Sequence, residues 1–84
     1  PKGPAPRVEI RRLKQGKGGK TVTEIQGLAF LGEAEGKQLL KTWKSRFGVG
    51  GSWRQGTIEI QGDLREGIAE ALRERGYRAV LAGG

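Results

Sequence analysis

Apolar and polar positions change their period several times along this chain, and each change marks an element. Val8 and Ile10 alternate with Arg7, Glu9 and Arg11, which predicts a half-buried strand, and the β-branched run from Thr21 to Gln26 suits a partner strand. Between them, Gln15-Gly16-Lys17-Gly18-Gly19-Lys20 offers little to pack and reads as an exposed hairpin loop. From Glu33 to Phe47 the period lengthens: Leu39, Leu40, Trp43 and Phe47 recur at helical spacing, with Lys37, Lys41 and Lys44 forming a stripe of their own. Gly48, Gly50 and Gly51 end that helix. Gly51 to Arg54 and Thr57 to Gln61 then read as two strands around a two-residue Gln55-Gly56 turn. That turn sets Trp53 opposite Ile58 and Gly51 opposite Ile60, so Trp53, Ile58 and Ile60 share the buried face while Arg54, Thr57 and Glu59 point outward. Asp63 followed by Glu66 has the spacing of an acidic capping box, which predicts Asp63 as the N-cap of a second helix. Its apolar stripe is Leu64, Ile68, Ala71 and Leu72, ending before Gly76, and Tyr77 to Ala82 closes the chain as a last strand.

The resulting order is strand, strand, helix, strand, strand, helix, strand. Each helix has one apolar stripe to bury, so the expected fold is α+β, a two-layer α/β sandwich with both helices on one face of a mixed, mostly antiparallel sheet. Residues 1–6, with three prolines and a glycine, read as a flexible leader, and 7–84 as a single domain. A chain beginning at Pro1 is expected to have been processed or trimmed. Only Gly36 and Gly67 fall inside a predicted helix, where glycine costs about 1 kcal/mol relative to Ala; close contact between elements would account for both.

Composition narrows the chemistry. At 84 residues the chain supports one modest core and no cleft between domains. It contains no Cys, His, Met or Asn, which removes thiolate nucleophiles, imidazole bases and soft metal ligands, and Ser45 and Ser52 have no imidazole to activate them. The nine carboxylates form no cluster with metal-ligand spacing. No catalytic residue, cofactor or metal site is expected. No apolar run approaches the roughly 20 residues needed to cross a bilayer, and no signal peptide is recognisable, so a soluble cytoplasmic monomer is expected.

Charge is distributed unevenly. Of the net +7, residues 1–20 carry seven basic groups against Glu9 alone, leaving +6 there and +1 on the remaining sixty-four residues. That asymmetry points to a polyanionic partner. The basic groups gather in two places: Arg11, Arg12, Lys14, Lys17 and Lys20 around the hairpin, and Lys37, Lys41 and Lys44 on the first helix. Cations on a pliable loop neutralise phosphates without reading bases.

Familiar motifs fail on context. Gly19-Lys20-Thr21 resembles the end of a phosphate-binding loop, but Lys14 stands where its first glycine belongs and a strand, not a helix, follows. Gly16-Lys17-Gly18-Gly19 would satisfy the KH backbone clamp, yet it joins two strands. An RNA-recognition sheet needs outward aromatics, whereas Trp43, Phe47 and Trp53 are at core parity; Phe30 and Tyr77 are open to either role. A small acylphosphatase would lack its water-orienting asparagine.

In sequence order, further motifs converge. Gln61-Gly62-Asp63-Leu64-Arg65 at a strand-to-helix junction matches a Q-G-D-x-R pattern. Gly50-Gly51-Ser52-Trp53 and Gly56-Thr57-Ile58-Glu59-Ile60 precede it, Leu81-Ala82-Gly83-Gly84 closes the chain, and the basic hairpin running into Thr21-Val22-Thr23-Glu24-Ile25-Gln26-Gly27-Leu28 lies upstream. Together these resemble the family of eukaryotic translation initiation factor one in its short bacterial and archaeal form, over about residues 7–84. One departure is that Phe47-Gly48-Val49 lacks the cysteine many members carry there.

The resemblance implies a translation initiation factor that binds the small ribosomal subunit near the decoding site and influences start-codon and initiator-tRNA selection. Small-subunit RNA is the implied partner, with initiator tRNA and other initiation factors beside it. It assigns RNA contact to Lys14, Lys17, Lys20, Arg12, Lys37 and Lys41, and leaves Arg65 as a further RNA or partner contact. Two alternatives stay open: a stress-related RNA-binding regulator of translation with a different ribosomal site, and a module that docks another protein through its helices.

Overall fold

A computed structural model describes residues 5–15 and 19–82. The expected leader therefore lies outside the described residues except for Ala5 and Pro6, as do Gly16, Lys17 and Gly18 of the hairpin loop and the closing Gly83-Gly84. The element order is the expected one: β1 (Arg7–Gln15), β2 (Lys20–Gln26), α1 (Gly32–Phe47), β3 (Gly51–Arg54), β4 (Thr57–Gln61), α2 (Arg65–Glu74) and β5 (Arg78–Leu81). A 3₁₀ turn, Ala29–Leu31, leads into α1.

The five strands form one sheet in the order β3-β4-β2-β1-β5. Only β5 runs parallel to its neighbour β1; every other pairing is antiparallel. Trp53 pairs with Ile58 and Gly51 with Ile60, the register the two-residue turn dictates. At that turn Gln55 and Gly56 both have positive φ, 47° and 91°, which matches the right-handed twist of a tight hairpin. Gly56 is also where Leu28 donates its N–H to a carbonyl at 2.9 Å, tying the turn to the entrance of α1.

One core lies between the sheet and the helices. Val8, Ile10, Ile25, Ile58 and Ile60 from the strands meet Leu39, Trp43, Ile68 and Leu72 from the helices, all at most 2% exposed. Both helical glycines are close contacts: a Cβ on Gly36 would collide with the Trp53 indole, and one on Gly67 would lie 3.0 Å from Cε1 of Phe47. The propensity lost at each is thus exchanged for an aromatic ring packed against bare backbone. α1 ends at Gly48 with a left-handed φ of 65°.

The first hairpin is longer than its glycine content suggests. Pairing continues through Arg12↔Thr23, Leu13↔Val22 and Lys14↔Thr21 to Gln15↔Lys20, so residues expected in the loop belong to the ladder. The apolar Leu13 and Val22 directly opposite each other supply the cross-strand contact that extends it. β4 leaves β2 at Val22 and β5 leaves β1 at Ile10, so the distal part of the hairpin projects as a two-stranded ribbon.

Candidate nucleic-acid interface

Strand parity sorts the cations of the ribbon. Val8 and Ile10 face the helices, so Arg12 and Lys14, two and four positions further along β1, are on the same side, past the edge of the core. Both are exposed. Arg11 has the opposite parity, and there its guanidinium meets carboxylates: Nη2 is 3.9 Å from Glu9 and Nε is 3.7 Å from Glu24. That Nε is buried with no hydrogen-bond partner, because 3.7 Å is attraction without a bond. Lys20 shares the parity of Val22 and Glu24 at the far end of the ribbon. Lys17 lies outside the described residues.

The start of α2 lies against the ribbon, and here the structure corrects the sequence reading. Asp63 does not cap the helix: the cap position is Leu64, whose own side chain supplies no cap bond. Thr23 of β2 does the joining. Its hydroxyl accepts from the Leu64 N–H at 2.8 Å and donates to the Gly62 carbonyl at 2.7 Å, and the residue is fully buried. The Asp63 carboxylate turns instead to Arg65, accepting from Nε at 2.9 Å and Nη2 at 3.1 Å. Asp63-to-Glu66 spacing describes a local cap, but Gly62 at φ 94° redirects the chain and a guanidinium two residues on competes for the carboxylate. Hydrogen bonds from Arg65 hold the Asp63 carboxyl below its usual range, and the positive charges of Arg65 and Arg12 add to the effect. Arg12 and Arg65 therefore belong to one electrostatic neighbourhood.

The lysines of α1 are arranged differently. Lys37 is engaged by Glu33 one turn earlier, at 2.8 Å, and this pairing lowers the Glu33 pKa. Lys41 and Lys44 have no ion-pair partner among the described residues and are exposed. They lie on the flank away from α2, since Arg46 on the other flank reaches Glu74 of α2 at 3.3 Å. Phe47 against Gly67 brings the end of α1 to the start of α2, so Lys44 is at the ribbon end of the molecule. Lys37 is seven residues away, about 10 Å along the axis.

Thr23 is the residue that sequence reasoning missed. Its signal was a hydroxyl at buried parity between Thr21 and Ile25, and a buried hydroxyl needs partners. Phe30 and Tyr77, undecided from sequence, meet edge to face at 5.3 Å, with Arg75 over the Tyr77 ring at 5.9 Å. They are not on the helix-free face of the sheet, where no described residue is aromatic. Among the described residues no group of His, Cys, Asp and Glu could hold a metal, and no helix is long and apolar enough to cross a membrane.

The family profile of translation initiation factor SUI1 matches residues 4–78. The chain belongs to the SUI1 family. An uncharacterised protein of Synechocystis is 45% identical over 78 residues, covering 92% of this chain and 68% of that protein. The uncharacterised protein YciH of Salmonella typhimurium is 40% identical over 77 residues, covering 92% and 70%. A protein named as a translation factor SUI1 homolog in Sulfurisphaera tokodaii is 41% identical over 71 residues, covering 84% of this chain and 65% of its own length. The SUI1 family is one of translation initiation factors and not an enzyme class. The motif Gln61–Arg65 that suggested it is the segment Thr23 pins in place, and the basic ribbon stands beside it.

Proposed function

We propose that this SUI1 chain is a non-enzymatic translation initiation factor of the cytoplasm that docks on small-subunit ribosomal RNA near the decoding site and influences start-codon and initiator-tRNA selection. The observation that carries this reading is the placement of Lys14 on the projecting two-stranded end of the hairpin and of Arg12 just before it, on the side where α2 begins with Arg65. Phosphate contacts there set position and register without sequence readout. Lys14, Lys17 and Lys20 supply most of the affinity, and Arg12 and Arg65 extend the surface. Lys41 and Lys44 form a second strip along α1, with Lys37 contributing once it leaves Glu33. Arg11, held between Glu9 and Glu24, contributes least. Initiator tRNA and other initiation factors are the remaining partners of this reading.

The test is small-subunit binding at several salt concentrations for the wild type and for a variant with Lys14, Lys17 and Lys20 changed to Gln. The slope of log affinity against log salt should fall by roughly 2 to 3, at about 0.7 to 0.9 per phosphate contact. Parallel lines would remove the ribbon from the interface. Equal affinity for large subunits would favour the alternative of a regulator with another ribosomal site.

A further inference from the structure

β5 is the edge strand on the side of the sheet away from β3. The Arg78 N–H bonds to the Pro6 carbonyl and the Ala82 N–H to the Ile10 carbonyl, each at 2.8 Å. In a parallel ladder the intervening odd positions turn away, so the N–H and C=O groups of Ala79 and Leu81 face outward, unpaired by any strand among the described residues. An open edge of this kind is a template for another strand.

The side chains beside that edge are also unusual. Leu81 is on the helix face of β5 and is 53% exposed; among the described residues the other exposed large apolar side chain is Phe30, which has Tyr77 against it. Leu81 lines two adjoining hollows along α2, of about 410 and 380 Å³, which share Glu66. Gly67 and Ala69 contribute small surfaces there, and Glu66 and Glu70 form the wall. These carboxylates are one helical turn apart, a like-charge spacing that disfavours the helix, and neither forms an ion pair among the described residues. Arg65 at one end of the groove is occupied by Asp63, and Arg73 lines the other end.

We propose that the β5 edge and this groove receive an extended segment of a protein partner, added to the sheet beside β5, whose helix-side positions carry both apolar and basic side chains. Its backbone would bond the outward groups of Ala79 and Leu81, an apolar side chain would cover Leu81, and its cations would meet Glu66 and Glu70. RNA is the wrong occupant, because two unpaired carboxylates repel phosphate. A second copy of this chain is disfavoured too, since pairing β5 with β5 would bring a second pair of Glu66 and Glu70 carboxylates to the same edge. The groove meets the proposed RNA surface at Arg65 alone, so the lysines of the ribbon stay free.

The experiment is an NMR titration of the isotopically labelled 84-residue chain with a capped peptide of repeating Val-Thr-Lys-Thr, in which Val and Lys share one face, and with its counterpart carrying Glu in place of Lys. The Lys peptide shifts the amides of Ala79 and Leu81 and the Leu81 methyls, and slows exchange of those two amides. The Glu peptide binds at least about tenfold more weakly, and Glu66→Lys with Glu70→Lys reverses the preference. Ala79→Pro removes an outward N–H without taking a bond from β1, and abolishes binding of the Lys peptide. Should that variant not fold, the surface charge reversal decides alone. Shifts confined to other elements, equal response to both peptides, or no shifts overturn the proposal. So does concentration-dependent dimerisation through β5, or a short RNA that perturbs Leu81 as the Lys peptide should.

Discussion

Two halves of one strand face make the instructive comparison. Val8 and Ile10 are 0% exposed, while Arg12 and Lys14, next on the same face of β1, are open to solvent. The backbone alternation is identical in both halves. What differs is the layer above: helices cover the first half, and no described element covers the second to the same extent, so apolar residues suit one and cations the other. The core half fixes the fold, and the ribbon half is the one the proposed RNA contact uses. Thr23, opposite Arg12, stands at the boundary and joins the two through the entrance to α2.

The sharpest break in that comparison comes from the core. Trp43→Ala, at a side chain 1% exposed, should cost about 3 to 5 kcal/mol, a large part of the roughly 5 to 15 kcal/mol that holds a domain together. A denaturant melt checks it. A folded variant that lost only RNA binding would instead make Trp43 a stacking surface.

At the boundary, Thr23→Val keeps the shape and removes the hydroxyl, leaving the Leu64 N–H and the Gly62 carbonyl without their partner. The expected loss is about 1 to 3 kcal/mol, with faster hydrogen exchange at Leu64. Thr23→Ser should recover most of it. Unchanged exchange in the Val variant would mean that β2 does not organise the start of α2.

Asp63→Ala should destabilise less than Thr23→Val, because the carboxylate is exposed and bonded to Arg65 rather than to the helix backbone. The sign of its pH dependence follows from a folded pKa below the ordinary 3.8. The stabilisation is fully present above that ordinary value and is lost as pH falls through the lower folded one. Melts of wild type and variant should therefore differ at about pH 7 and draw together as pH falls below the ordinary 3.8. A gap that persists in acid would assign Asp63 a role independent of its charge.

The smallest effect on stability belongs to the ribbon. Changing Lys14, Lys17 and Lys20 to Gln should move the folding free energy by no more than about 0.5 kcal/mol, while small-subunit binding weakens and loses salt dependence. A large fall in stability would show that the ribbon supports the core and would erase the contrast between the two halves.

Much of this molecule was determined locally. Period-two and helical patterns placed every strand and helix, and Gln55-Gly56 set the Trp53↔Ile58 register, because a two-residue turn permits few pairings. Trp43 at the centre of an apolar stripe was legible as core for the same reason. The basic ends of the hairpin were visible as charge. Their division was not: only the ladder places Arg12 and Lys14 on the helix side of β1 and Arg11 among Glu9 and Glu24. The role of Asp63 was likewise decided in three dimensions. Its spacing to Glu66 specified a cap, but Thr23 and Arg65 arrive from 40 residues earlier in β2 and from two residues on in α2, and together they outcompete the local arrangement. Chain neighbours determine dihedral preferences and periods, so a sequence carries them directly. Which polar groups meet depends on surfaces brought together by burial, and that became readable only once the sheet and helices had closed on one another.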